Sequence, residues 1–141
     1  MNRRIFIVHG HDSTAMYELK DFIVSLGLEP IALFQQDDRG MAIIEKFEYY
    51  GATCDCAVVL LTPDDKVSAA SGSDQWRSRQ NVILEMGWFM HKVGRSRVIL
   101  LHKGPVEIPS DILGVLYLEF NKSVYEVSEK IRQRLSGLSL L

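Results

Sequence analysis

The chain is predicted to fold as a flavodoxin-like α/β domain, three layers deep, with a five-stranded parallel sheet between two layers of helices. Two observations predict it. The runs Ile5–Val8, Ala57–Leu61 and Val98–Leu101 are apolar without alternation, as central parallel strands buried on both faces are. Between such runs lie segments whose apolar residues recur at a 3.6-residue period, and strand and helix alternate about five times, the pattern of a parallel sheet with right-handed crossovers. A length of 141 residues is enough for one domain with its own core. The span 1–141 shows neither an internal repeat nor a linker.

The first strand, Ile5-Phe6-Ile7-Val8, ends in His9-Gly10-His11-Asp12. Asp12 or Ser13 can cap a helix carrying Ala15, Leu19, Phe22, Ile23 and Leu26, which Gly27 closes. Pro30–Phe34 reads as a short strand near an edge, since Pro30 has no N–H for a ladder. Gln35–Gly40 is a polar loop. A helix with Ile43, Ile44, Phe47 and Tyr50 follows, and Gly51 is placed to stop it. The third strand ends at Thr62-Pro63-Asp64-Asp65, and Lys66–Gln75 reads as a mobile, lid-like segment.

The next helix, Arg79–Gly94, puts Val82, Met86, Phe89 and Val93 on one face. Glu85 falls roughly 40° from Phe89 around the axis, at the edge of the stripe, with Asn81 one turn earlier on the same edge. A carboxylate there can look into a crevice without being buried outright. Val98–Leu101 then runs into His102-Lys103-Gly104. Pro109–Gly114 suggests one helical turn, and Val115–Phe120 is the last strand. Ser123-Val124-Tyr125-Glu126 is a capping box opening a helix with Val124, Val127, Ile131 and Leu135 on one face.

Composition removes several functions. A net charge of -2 gives no electrostatic case for nucleic acid. The residues after Met1 lead into only a short apolar run, too brief for a signal peptide or membrane span. Cys54 and Cys56, spaced i, i+2, are expected to point the same way and to be reduced core thiols of a cytoplasmic chain. Neither a P-loop nor a Rossmann glycine fingerprint is present, and a G-x-S-x-G elbow is missing too. A phosphoryl receiver would need acids where His9-Gly10-His11 and Thr62-Pro63 stand. His9 and His11 offer two metal ligands without a third nearby, so no metal is assigned.

In an open α/β sheet, ligands bind beyond the carboxyl ends of the strands. The loop after the first strand and the first turns of the 79–94 helix should line that crevice. Gly10 and the Asp12-capped helix end suit a phosphate-bearing ligand. Arg39 and Arg79, each beside a loop at the same end, can neutralise its charge, although each also reads as plain surface arginine. Glu85 reads equally as an acid settled by the helix dipole. Trp76 and Trp88 can stack on a flat ring, and Trp88 serves as well for helix packing.

Four blocks then stand out in order: R-R-I-F-I-V-H-G-H-D, A-V-V-L-L-T-P-D-D, R-Q-N-V-I-L-E-M-G-W-F and V-I-L-L-H-K-G-P-V-E-I-P-S-D-I. From about Arg3 to Phe120 they resemble the bacterial TIR-like domains of anti-phage effectors, some fused to STING-type cyclic-dinucleotide sensors and others to cyclic-mononucleotide sensors. The resemblance implies a TIR fold that cleaves the nicotinamide–ribose bond of NAD+, with NAD+ as substrate and no cofactor. The family's catalytic Glu matches Glu85, with Asn81 expected to orient the carboxylate or the ribose. Its dinucleotide contacts match His9, Gly10, His11 and Asp12 in one loop and Gln35–Gly40, including Arg39, in another. Arg79, with His9, Gly10 and His11, is expected to hold the phosphates. The 35–40 loop is expected to reach a neighbouring copy, so that assembly activates the domain, and a sensor domain is expected outside this chain. The alternative is a non-catalytic TIR-type adaptor that binds partners or a nucleotide through the same loops.

Overall fold

The computed structural model describes residues 3–68, 70 and 72–141. Five parallel strands form one sheet: β1 (Arg4–Val8), β2 (Glu29–Ala32), β3 (Cys56–Leu61), β6 (Val98–Lys103) and β7 (Leu116–Phe120), in the order β2-β1-β3-β6-β7. The strand order turns back at β1 and β3, the topological switch point where flavodoxin-like sheets open a ligand crevice. The fold class read from the sequence is the one observed. All six residues of β3 are buried, as its unbroken apolar run requires.

Alternate side chains of each strand feed two cores. Ile5 and Ile7 pack with Met16, Leu19 and Ile23 of α1 (Ser13–Ser25) and with Ile131 and Leu135 of α4 (Ser128–Gly137). Phe6 and Val8 pack on the opposite face with Phe47 of α2 (Ile43–Gly51) and with Val82, Met86 and Phe89 of α3 (Gln80–Lys92). There Phe6 stands 4.9 Å from Phe89 and 5.4 Å from Phe47, centroid to centroid. Trp88 closes this aromatic cluster at 5.0 Å from Phe47, so it is a packing residue rather than a ring-stacking platform. Gly51 belongs to the same contact. A Cβ there would approach the Trp88 ring to 2.9 Å, so its place at the helix end is set by close packing.

Several local expectations are corrected. Lys66–Gln75 falls in an antiparallel hairpin of β4 (Asp65–Ser68) and β5 (Asp74–Arg77) rather than in an irregular lid; Ala69 and Ser71 lie outside the described residues. The hairpin is polar and mostly exposed, so it lacks the apolar alternation that marks a strand in a sequence. Leu33 and Phe34 belong to a short 3-10 turn rather than to β2. Pro109–Gly114 contains no helix; Val115 N–H donates to Ile112 C=O in a turn. The Ser123 capping box is present, but it opens a 3-10 segment, Val124–Val127, that leads into α4. Ile43 is 81% and Ile44 52% exposed, so the apolar residues that opened α2's periodic pattern are not core.

The two cysteines are free and buried, yet they enter opposite cores, Cys54 beside α2 and α3 and Cys56 beside α1 and α4. Cys54 precedes the strand, in a turn where its N–H donates to Gly51 C=O, so strand alternation does not apply to it. Burial pushes both thiols up to about 12, which makes them poor nucleophiles at neutral pH. Among the described residues, no helix is long and apolar enough to cross a membrane.

Candidate active site

At the carboxyl end of β1, beside the turn that follows β2, a cleft of about 760 Å³ opens between α2 and α3. Its floor and one wall are apolar: Phe6, Ile7, Leu33, Phe34, Phe47, Ile43, Ile44 and Leu84. His9, Arg79, Asn81 and Glu85 line it as well, together with Asp38 and Lys46. Four of the residues singled out in the sequence thus meet in one place. A mostly apolar pocket with a few convergent polar groups is the common form of a small-molecule site.

Glu85 stands a turn and a half into α3, on the margin of the Val82–Met86–Phe89 stripe, and is half-buried. Burial pushes its carboxyl up to about 7, against the opposing pull of the Arg79 guanidinium. The group is therefore poised between neutral and ionised near pH 7, and a cation arriving beside it favours the ionised form.

His9 is held differently. Its Nδ1 lies 3.0 Å from Gly10 C=O, a bond that requires the proton on Nδ1 and leaves Nε2 as an acceptor. Burial, with a smaller contribution from Arg79, outweighs the pull of the Gly10 carbonyl and Asp64 and keeps its pKa below the ordinary histidine value. A neutral His9 can accept from a hydroxyl but adds no positive charge for a phosphate. Its ring also packs edge-on against Phe34 at 5.5 Å.

Asp64 is the residue that holds the loops together, and no local pattern pointed to it. One carboxylate oxygen accepts from His11 N–H at 3.0 Å and from Thr62 Oγ1 at 2.9 Å; the other accepts from Arg79 N–H at 3.2 Å. The loops after β1 and β3 and the entry to α3 are thus joined through one side chain. Gly10 makes room for it, since a Cβ there would fall 2.0 Å from Asp64 Oδ2. The only sequence signal was an acid one residue past a strand-ending Pro63; its partners are far away in the chain.

The remaining sequence-predicted residues are engaged elsewhere. Asp12 caps α1 by accepting from Ala15 N–H at 3.0 Å and pairs with Lys103 at 2.7 Å. Burial acts to raise its pKa, but these bonds outweigh it and hold the carboxyl below the usual range. His11 lines a neighbouring polar cleft, not the one that holds Glu85. Arg39 bonds the Tyr49 hydroxyl and lies 4.9 Å over the Tyr49 ring. Both Arg39 and Gly40 have positive φ, 52° and 73°, and Met41 N–H returns to Asp38 C=O at 2.9 Å, so the loop's end is a tight turn. Asp38 ties this turn to the cleft, its carboxylate 2.6 Å from Nζ of the nearly buried Lys46. Lys46, hidden in an amphipathic helix pattern, is a second cleft cation that the sequence did not announce.

Compared with known proteins, residues 4–122 match the family described as CAP12/Pycsar effector protein, TIR domain. The Escherichia coli (strain K12) protein YuaY, described as uncharacterized, is 50% identical over 123 residues, which is 86% of this chain and 41% of that protein. Protein tirC of Dictyostelium discoideum is 34% identical over 139 residues, 91% of this chain and 69% of that protein. Pycsar effector protein BcPycTIR of Burkholderia cepacia is 41% identical over 69 residues, 48% of this chain and 22% of that protein. The chain thus spans less than half the length of the first and third of these relatives.

Proposed function

The chain belongs to the CAP12/Pycsar effector TIR-domain family, and on that premise we propose that it is an NAD+ nucleosidase, an effector that breaks the nicotinamide–ribose bond of NAD+ in an anti-phage response. The observation that carries this reading is Glu85, half-buried in a mostly apolar cleft with Arg79 on the same wall. The nicotinamide of NAD+ is already cationic, so it leaves as a neutral base without needing a proton. What the reaction needs is a negative charge beside the ribose as C1′ becomes oxocarbenium-like, which is glycosidase chemistry with one carboxylate in place of two. Water then adds to C1′ and releases a proton, giving ADP-ribose and free nicotinamide.

In this assignment the apolar wall of Phe34, Ile43, Ile44 and Leu84 receives the nicotinamide ring, Glu85 faces the ribose, and Asn81 orients the carboxylate or a hydroxyl. Arg79 takes the pyrophosphate. The reaction draws on the cytoplasmic NAD+ pool and uses NAD+ as substrate, with no further cofactor. The direct test is to incubate concentrated protein with NAD+ and assay free nicotinamide; none released would leave a non-catalytic adaptor as the reading.

Arg79→Ala is expected to raise the KM for NAD+ by about tenfold, the loss of one charge-assisted contact. Nicotinamide riboside, which lacks the pyrophosphate, should be affected less. Steady-state kinetics on both substrates checks this, and equal losses on the two would point to a structural role for Arg79.

Assembly is proposed to complete the site. The 35–40 loop itself carries no apolar residue, Ile43 and Leu84 at the cleft mouth are 81% and 63% exposed, and one copy leaves the nicotinamide end open. A second copy packed head-to-tail at the 35–40 loop would close it, and such heterologous contacts build open chains of molecules. A nucleotide-sensing partner or domain outside this chain would then set the local concentration. Specific activity is expected to rise with protein concentration, and substitution at Asp38 or Arg39 to weaken that dependence. A specific activity that stays flat over about a hundred-fold dilution would contradict it.

A further inference from the structure

A second cleft of about 490 Å³ lies on the other side of Arg79, between the first turn of α3 and the β4–β5 hairpin. Arg79 and Asn81 line both clefts, so the two meet along these residues. Their linings differ. The first is mostly apolar and holds Glu85, whereas the second presents His11, Asp65, Ser78 and Gln80.

The charges divide the same way. Of the cations around the clefts, Lys46 is paired with Asp38 and Arg77 with Glu107, while Arg79 stands at the seam. Glu85 lies six positions after Arg79, roughly 9 Å along the helix axis, which leaves room for a ribose between guanidinium and carboxylate. A ligand with its phosphates at Arg79 and one nucleoside toward Glu85 must direct its other half past the seam. What waits there suits a neutral heterocycle on a sugar. The amide of Gln80, which lines only this cleft, offers both donors and an acceptor to a base edge. Asp65 offers a carboxylate, the group that accepts from a ribose diol and repels a phosphate placed on it.

We propose that this second cleft is the adenosine subsite of the substrate, and that Asp65 selects NAD+ over NADP+ by facing the adenosine ribose. The proposal rests on the reading of the chain as an NAD+ nucleosidase, and it makes a single copy able to hold the adenosine half of the dinucleotide.

The test uses wild type, Gln80→Ala and Asp65→Asn, both variants being altered only at exposed positions. Calorimetry with ADP-ribose should give measurable binding to wild type, weakened about fivefold or more in each variant, as the loss of one hydrogen bond predicts. Kinetics should show the NAD+ to nicotinamide mononucleotide ratio of kcat/KM falling by about as much, since the mononucleotide has no adenosine. Asp65→Asn should in addition narrow the preference for NAD+ over NADP+. No ADP-ribose binding to wild type, or equal binding to all three proteins, would overturn the subsite. Variant-sensitive ADP-ribose binding without any nicotinamide release would keep the subsite and overturn the nucleosidase assignment.

Discussion

Glu85→Gln is expected to lower NAD+ cleavage by on the order of 100-fold or more, with the fold intact. The amide keeps the shape and some hydrogen bonding of the side chain but carries no charge. If the carboxylate stabilises the oxocarbenium-like ribose, the loss falls on kcat more than on KM, because the charge matters most once positive charge has moved onto the sugar. Stability should move the other way. The folded-state pKa of about 7 lies above the ordinary 4.5, so between these values the folded protein binds a proton that the unfolded chain has lost. Stability contributed by the neutral carboxyl is full below about 4.5 and is lost as pH rises through about 7. Glutamine removes that dependence. Thermal melts should therefore show the variant at least as stable as wild type at pH 8, with the gap closing toward pH 5. Near-wild-type turnover by the variant would end the catalytic assignment.

The second large effect is expected at Gly10. Gly10→Ala drives a methyl to within 2.0 Å of Asp64 Oδ2, so the carboxylate must withdraw from His11 N–H, Thr62 Oγ1 and Arg79 N–H. Overpacking of this kind destabilises by about 1–3 kcal/mol. Displacing the loop that carries His9 and the turn that carries Arg79 should also lower kcat/KM by roughly 10- to 100-fold, as misplacement on the order of 1 Å does. A double-mutant cycle isolates the cause. In an Asp64→Ala background the space is already vacant, and Gly10→Ala should then add less than about 0.5 kcal/mol of destabilisation. An undiminished penalty in that background would show that Asp64 is not what Gly10 accommodates.

The parts of the fold legible in the sequence are those written in apolar pattern. The runs in β1, β3 and β6 and the stripe Val82–Met86–Phe89 mark buried surface directly, and the edge of that stripe located Glu85. Where pattern and burial part company, the reading failed. The hairpin is exposed and has no apolar face to advertise. Ile43 and Ile44 continue the helical period of Phe47, yet they open onto the cleft and not onto the core. Local chemistry was equally ambiguous for Asp12 and Arg39. Both stand on loops of the expected kind, but Lys103 and Tyr49, distant or separately placed in the chain, claim their side chains. Asp64 and Lys46 were passed over for the same reason, since their roles come from partners that only the folded chain brings near.

The measurement that bears most directly on the central claim is the pH profile of nicotinamide release from NAD+ by concentrated wild-type protein. With Glu85 required as the carboxylate, kcat/KM should rise tenfold per pH unit on the acid side and level off above about pH 7. Burial holds His9 below the ordinary histidine value, so its titration does not set the point at which the profile levels off. A profile that is flat across this range, or that falls as pH rises through about 7, would contradict the assignment of Glu85 as the charge that drives the reaction.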